Sequence, residues 1–176
     1  MDKFYTGVGS RETPYYVLAL MTYTAKVLDK LGYTLRSGGA SGADCAFERG
    51  SNKHAIYSIN KTHIPVSGKP NIIPNLEPYR KLAAECCLHY KNIRNQNVKD
   101  LHTRNVCQVI GHDPNEVIKS DFLICYTFNG EHIGGTTTAI RCVERFDIPV
   151  FNFGRYKNIE EMQVQLKEFL KLHIRK

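Results

Sequence analysis

Short apolar runs alternate with amphipathic stretches along the chain. Residues 4–8, 33–35, 55–59, 122–126 and 150–153 each read as a short strand. Helical spacing fills the gaps between them. Thr13 stands as an N-cap with Pro14 at the first helical position. Val17, Leu18, Met21, Ala25 and Leu28 then form one apolar stripe that runs to Lys30 and closes at Gly32. Ala43, Ala46 and Phe47, set against Glu48 and Arg49, predict a second helix ending near Gly50. Pro78 opens a third, with Leu82, Ala83, Cys86, Leu88 and Tyr90 among charges. Residues 102–110 predict a short fourth helix closed by Gly111, and Asp113-Pro114 starts one more turn. Gly134-Gly135-Thr136 opens a helix through Arg145, with Ala139, Cys142, Val143 and Phe146 inward. Asn158 caps the last, with Glu161 as its capping-box partner and Met162, Leu166, Phe169 and Leu170 as its buried face. This βαβαβ order predicts the α/β class: one Rossmann-like domain over 1–176, with a mostly parallel sheet and helices on both faces. Pro65, Pro70, Pro74 and Pro78 break residues 60–78 into an irregular loop or lid over one sheet edge.

Three of the predicted strands run into glycine turns. The central one is LRSGGASGADCAFERG, residues 35–50, in which Gly38, Gly39 and Gly42 can take positive φ without steric cost. Free N–H groups at the following helix start, backed by the helix dipole, would face an anion, and phosphate fits best. The first strand ends in Gly7-Val8-Gly9-Ser10-Arg11. The fourth is followed by Asn129-Gly130 and then Gly134-Gly135-Thr136-Thr137-Thr138. Each turn could merely pack a helix on a strand. Three at the carboxyl ends of parallel strands share the edge where open α/β sheets bind ligands.

Composition narrows the class. At 176 residues, 42 % apolar and 23 % charged, the chain has the make-up of a soluble globular domain. It has no apolar run near the ~20 residues that span a bilayer. Met1-Asp2-Lys3-Phe4 leads directly into strand-like sequence, so a cytoplasmic protein without a signal peptide is expected. A formal charge of +7 suits a phosphorylated or polyanionic partner, although the scattered lysines also serve solubility. The densest basic region, residues 79–104, holds Arg80, Lys81, Lys91, Arg94, Lys99 and Arg104. Lys171, Arg175 and Lys176 read as a solvated helix end. The six cysteines, Cys45, Cys86, Cys87, Cys107, Cys125 and Cys142, form no C-x-x-C pair and read as reduced, small hydrophobes. The histidines show no metal-binding spacing, so no metal and no cofactor are expected.

The G-S-R turn (Gly9, Ser10, Arg11), the S-G-G-A-S-G-A-D loop after the second strand, the Arg104-Asn105 pair, and G-G-T-T-T-A before an I-P-V-F strand occur in this order. In that order they resemble the DprA/Smf proteins and the wider SLOG superfamily. The resemblance spans about residues 4 to 154. It implies a Rossmann-like fold whose glycine loops bind nucleotides or nucleic-acid phosphates. Carried over by position, Gly9, Ser10 and Arg11 form one wall of the site. Ser37, Gly38, Gly39, Ser41, Gly42 and Asp44 form the floor. Gly134, Gly135, Thr136 and Thr137 form the opposite wall, with Arg104 and Asn105 on a flanking helix. Asp44 either caps the second helix or contacts a ribose or base. The resemblance further implies single-stranded DNA as a ligand and a homodimer. DprA proteins commonly carry extra small domains, for which this chain has no room. The LOG-type phosphoribohydrolases of the same superfamily carry G-G-x-G-T-x-x-E. Here Thr137 replaces the glycine before Thr138, and Arg141 stands at the Glu position. A guanidinium cannot replace that carboxylate as a base.

Three functions follow as expectations. The first is a binding protein for single-stranded DNA or a nucleotide, with Tyr5, Tyr57, Tyr79, Tyr126 and Phe128 as stacking candidates. The second is a hydrolase that cleaves the N-glycosidic bond of a nucleotide, with Asp44, Glu48 or Glu131 as substitute carboxylates. The third is a protein that senses or sequesters a nucleotide signal without turnover.

Overall fold

Side chains alternate across the central strand β1 (Lys3–Gly9). Tyr5 joins one buried cluster and Val8 the other, so both faces of the strand are covered. The computed structural model describes residues 2–59, 66–68, 70–113 and 115–175. In register, β1 pairs in parallel with β2 (Tyr33–Ser37) on one side and β5 (Phe122–Tyr126) on the other. β3 (His54–Ser58), β4 (Asn71–Ile72) and β6 (Val150–Asn152) complete an all-parallel sheet in the order β4-β3-β2-β1-β5-β6. α1 (Tyr15–Lys30), α2 (Ala43–Gly50) and α6 (Ile159–His173) pack Met21, Phe47 and Met162 on the face that carries Tyr5, Leu35 and Phe122. α3 (Arg80–Cys86), α4 (Gln96–Ile110) and α5 (Thr136–Arg145) cover the other face through Ala83, Val106 and Val143. The Rossmann-like α/β expectation is met. The chain moves outward from β1 through β2 and β3, then returns to β5 on the far side of β1. The two crossovers therefore diverge between β1 and β5, and a crevice opens at the carboxyl ends of those strands.

Several local expectations are corrected. Thr13 does not cap α1: its hydroxyl donates to the Ser10 carbonyl at 2.7 Å. Pro14 takes the capping position, and its carbonyl accepts from Val17 and Leu18. Glu48 is not on the solvent side of α2; it is buried, and its carboxylate accepts the Ser67 amide at 2.8 Å. Residues 71–72 of the expected loop form the edge strand β4, while 60–65 and 69, including Pro65, lie outside the described residues. α3 ends at Cys86, because Cys87 is extended; Leu88 is left exposed, and Tyr90 begins a separate 3-10 turn. α4 starts six residues earlier than expected. Its cap is Asn95, whose side-chain Oδ1 accepts the Asn97 and Val98 amides at 2.9 and 3.3 Å. The turn expected at Asp113-Pro114 includes Pro114, which lies outside the described residues; the Asp113 carboxylate accepts the Asn115 amide at 2.8 Å and its backbone carbonyl the Glu116 amide at 3.3 Å. The buried Arg36 holds the segment beyond that turn, donating to the Ile118 carbonyl and, at 3.4 Å, to that of Val109. At α6 the capping box forms with a shift: Asn158 accepts the Glu161 amide at 2.8 Å, and the Glu161 carboxylate reaches the Lys157 amide.

Candidate nucleotide or nucleic-acid site

At the switch point the backbone after β1 bends back on itself. Ser10 donates its amide to the Tyr126 carbonyl at 3.1 Å. The Ser10 carbonyl accepts the Thr13 hydroxyl and, at 3.3 Å, the Ala43 amide at the start of α2. The turn is therefore bound to β5 on one side and to α2 on the other. Gly42 makes the second bond feasible. At φ +85° its Cα lies against the chain of Ser10 and Arg11, and a Cβ there would meet the Ser10 oxygen at 2.7 Å. Ser37 adds a third tie, its buried hydroxyl donating to the Gly7 carbonyl at 2.6 Å.

A cleft of about 460 Å³ opens above these turns. Gly9, Ser10, Arg11 and Glu12 line one side; Ala40 and Asp44 line the base. Leu101, Arg104, Asn105 and Gln108 of α4 form the back, and Thr127, Phe128, Ile133, Gly134, Gly135 and Thr136 close the other side. Nine of the sequence-derived site residues meet here: Gly9, Ser10, Arg11, Asp44, Arg104, Asn105, Gly134, Gly135 and Thr136. Ser37, Gly38, Gly39, Ser41, Gly42 and Thr137 do not line the cleft. Ser37, Gly38 and Gly39 are buried behind its base, Ser41 is exposed outside it, and Thr137 follows the loop into α5.

Several of the loop amides expected to face a ligand at α2 are already occupied. Ala43 N–H goes to the Ser10 carbonyl and Cys45 N–H to that of Ala40. Ala40 N–H donates to Asp44 Oδ2 at 3.3 Å. The anion at this helix start is the chain's own carboxylate. Asp44 is in the first turn of α2, buried, and is not its cap; Gly42 holds that position. Burial raises the Asp44 carboxyl to about 6, against the opposing pull of the Arg104 charge and of the Ala40, Gly9 and Gly38 amides.

Arg104 is buried on α4 facing that carboxylate. Burial pushes its guanidinium down from its ordinary value and Asp44 pulls it back up. Gln108, with its amide oriented by the donors around it, accepts Arg104 Nη1 at 2.7 Å and the Gly38 amide at 3.0 Å. Arg104 Nε has no acceptor among the described residues.

A run of three free donors stands at the other helix start. The amides of Gly134, Gly135 and Thr136 have no acceptor among the described residues. They open α5, at the cleft. Asn105 steadies this loop by donating Nδ2 to the Gly135 carbonyl at 2.8 Å. Arg11 is exposed at the opposite lip and makes no ion pair among the described residues. The cleft thus joins a helix N-terminus with three open amides to two guanidinium groups, a donor set matched to phosphate oxygens.

Of the stacking candidates, Phe128 is 64 % exposed and lines the cleft, whereas Tyr5, Tyr57 and Tyr79 are in the core and Tyr126 is half-buried outside the cleft lining. Of the substitute carboxylates only Asp44 reaches the cleft: Glu48 is bound to Ser67, and neither Glu131 nor Arg141 lines it. Sequence reading missed Leu101, Gln108, Glu12, Thr127 and Ile133. The signal for two of them was present, because 101, 104, 105 and 108 share one face of a helix. Among the described residues no three His, Cys, Asp or Glu side chains converge as metal ligands, and no helix is long and apolar enough to cross a membrane.

The fold and the cleft define a class: a doubly wound, all-parallel α/β domain with a ligand crevice at its switch point. Comparison with protein-family models and with curated proteins finds no match. Among solved structures the chain is similar to DNA processing protein A (DprA) from Helicobacter pylori, described for its single-stranded DNA binding mode. The two share 17 % sequence identity at a TM-score of 0.56, over 98 % of this chain and 82 % of that one. The DprA resemblance read from four short motifs is thus matched at the level of the fold.

Proposed function

We propose that the cleft between β1 and β5 binds single-stranded nucleic acid by its phosphates. One observation carries the reading: the open amides of residues 134–136 at the start of α5 share a single cleft with Arg104 and Arg11. Backbone amides at a helix N-terminus favour an anion, and the planar guanidinium groups pair with phosphate bidentately. Phe128, exposed at the rim, offers a face on which a base stacks. The basic balance of the chain and its fold likeness to a protein with a described single-stranded DNA binding mode support the same ligand class. The test is fluorescence anisotropy with labelled oligothymidylate at several salt concentrations. The reading requires an affinity that falls with salt, with a log–log slope of about −0.7 per phosphate neutralised. Binding of a mononucleotide without binding of the oligomer would move the assignment to a nucleotide sensor.

Asp44 supports a second reading, N-glycosidic cleavage of a bound nucleotide. A buried carboxyl raised to about 6 at the base of a ligand cleft holds its proton at a pH useful to a general acid. Incubation with nucleoside monophosphates, followed by chromatography for free base, separates turnover from binding.

A further inference from the structure

α1 and α6 lie side by side on the face opposite α4 and diverge enough to leave a groove of about 620 Å³, remote from the cleft. α1 offers Leu20, Tyr23, Val27 and Leu31, a spacing of three to four residues that puts all four on one stripe. α6 offers Leu166, Leu170 and Ile174. Leu166 is almost fully buried as the floor, while Tyr23 and Leu31 stand 67 % and 43 % exposed at the wall. Thr24, also in the lining, is satisfied within its own helix by the Leu20 carbonyl. The groove is thus an apolar trough along about three turns of α1, roughly 17 Å at 1.5 Å per residue. Two parallel ridges with a trough between them are the receiving half of helix-in-groove recognition.

Charge identifies the occupant. Lys167 and Lys171 line the α6 wall, and Lys26 and Lys30 are exposed on α1 next to the groove positions 27 and 31. The only acidic residue of α1, Asp29, is committed elsewhere: its carboxylate accepts the Asn52 and Lys53 amides at 2.9 Å each. Glu168 pairs with Lys171 at 2.7 Å, while Lys26, Lys30 and Lys167 make no ion pair among the described residues, and no carboxylate lines the groove. The rim is therefore basic around an apolar bed. A second copy in a two-fold pairing would set these lysines against their own equivalents. We infer that the α1–α6 groove docks an acidic amphipathic helix of about three turns from another protein, its apolar face in the trough and its carboxylates on Lys26, Lys30 and Lys167.

The probes are two fluorescein-labelled 14-residue amphipathic peptides with the same leucine stripe, one with glutamate and one with lysine on the polar face. Titrated by anisotropy against the full chain, the glutamate peptide is expected to bind at least tenfold more tightly than the lysine peptide. Tyr23→Ala with Leu31→Ala lowers that affinity at least tenfold, and Lys30→Glu with Lys167→Glu removes the preference between the peptides. These positions are exposed, so melting temperatures close to the parent's confirm that the variants fold. Equal binding of the two peptides, or no binding of either, overturns the proposal. So does sedimentation that shows a dimer dissociated by Tyr23→Glu, since the groove would then hold a second copy.

Discussion

The Cα of Gly38 rests against the guanidinium of Arg104, 66 residues further along the chain. A Cβ built on Gly38 would overlap Arg104 Nη1 and come within 2.6 Å of its Cζ. Gly38 is thus the seat of the buried arginine, and its lack of a side chain sets where that charge enters the cleft. Gly38→Ala is expected to push Arg104 out of its bond with Gln108 and to cost about 1–3 kcal/mol, the usual penalty for overpacking. Oligonucleotide affinity should fall at least tenfold. Urea unfolding and anisotropy titration of the same preparation check both numbers; full affinity in the alanine variant would remove Arg104 from the site.

Asp44 gives the protein a pH dependence of known sign. Its carboxyl titrates near 6 in the folded chain, above the ~3.9 of an unfolded aspartate. Between those values the folded state holds a proton that the unfolded state has lost. Stability from this group is therefore fully present below about pH 4, declines as pH rises through 6, and is level above it. A shift of two units is worth about 3 kcal/mol at most. Asp44→Asn, which mimics the protonated acid, should be the more stable protein at pH 8 and lose that advantage at pH 4. Chemical denaturation at both values measures the difference. Anion affinity should rise over the same interval as the carboxylate is neutralised, and the asparagine variant should lack that rise.

The strand–turn–helix rhythm was legible because the predicted strands are short and apolar and three of them run into glycine turns, and those signals are local. The convergence of residues 9–11, 104–105 and 134–136 was legible too, because parallel strands force their carboxyl ends to one edge. What escaped was the destination of individual hydrogen bonds. Nothing local in residues 37–45 says that the Ala43, Cys45 and Ala40 amides serve Ser10, Ala40 and Asp44 of the same chain, or that a run of open donors stands at α5. The start of α4 escaped for a different reason: Gln96, Asn97, Lys99 and Asp100 are polar, so the apolar spacing begins only at Leu101. The buried Glu48 and Arg36 are charges that the binary pattern assigns to solvent and tertiary partners hold inside.

Asn152 fixes the wall of the cleft that bears Phe128. Its buried carboxamide accepts the Thr127 amide at 3.1 Å and the Gly154 amide at 3.0 Å, and donates to the Thr127 hydroxyl at 2.8 Å. Asn152→Ala leaves two amides and a hydroxyl without partners and is expected to cost about 2–4 kcal/mol. Asn152→Asp keeps both acceptor bonds and should recover part of the loss. Denaturant midpoints of the three proteins test the order wild type, aspartate, alanine.

In the proposed complex Arg11 and Arg104 would divide the ligand's charge between an exposed and a buried guanidinium, and the exposed one isolates binding from stability. Arg11 makes no ion pair among the described residues, so Arg11→Ala should leave the melting temperature within about a degree of wild type. Its charge also holds the Arg104 guanidinium down, so the substitution relieves a repulsion inside the cleft. The loss on the ligand side should still dominate, because Arg11 gives up a phosphate contact. The salt slope should shrink by about 0.7, the share of one phosphate on a single strand, with affinity several-fold weaker at low salt and the gap closing as salt rises. Anisotropy titrations of both proteins across a salt series read this directly. An unchanged slope would mean that the strand passes the other lip of the cleft, along residues 134–136 alone.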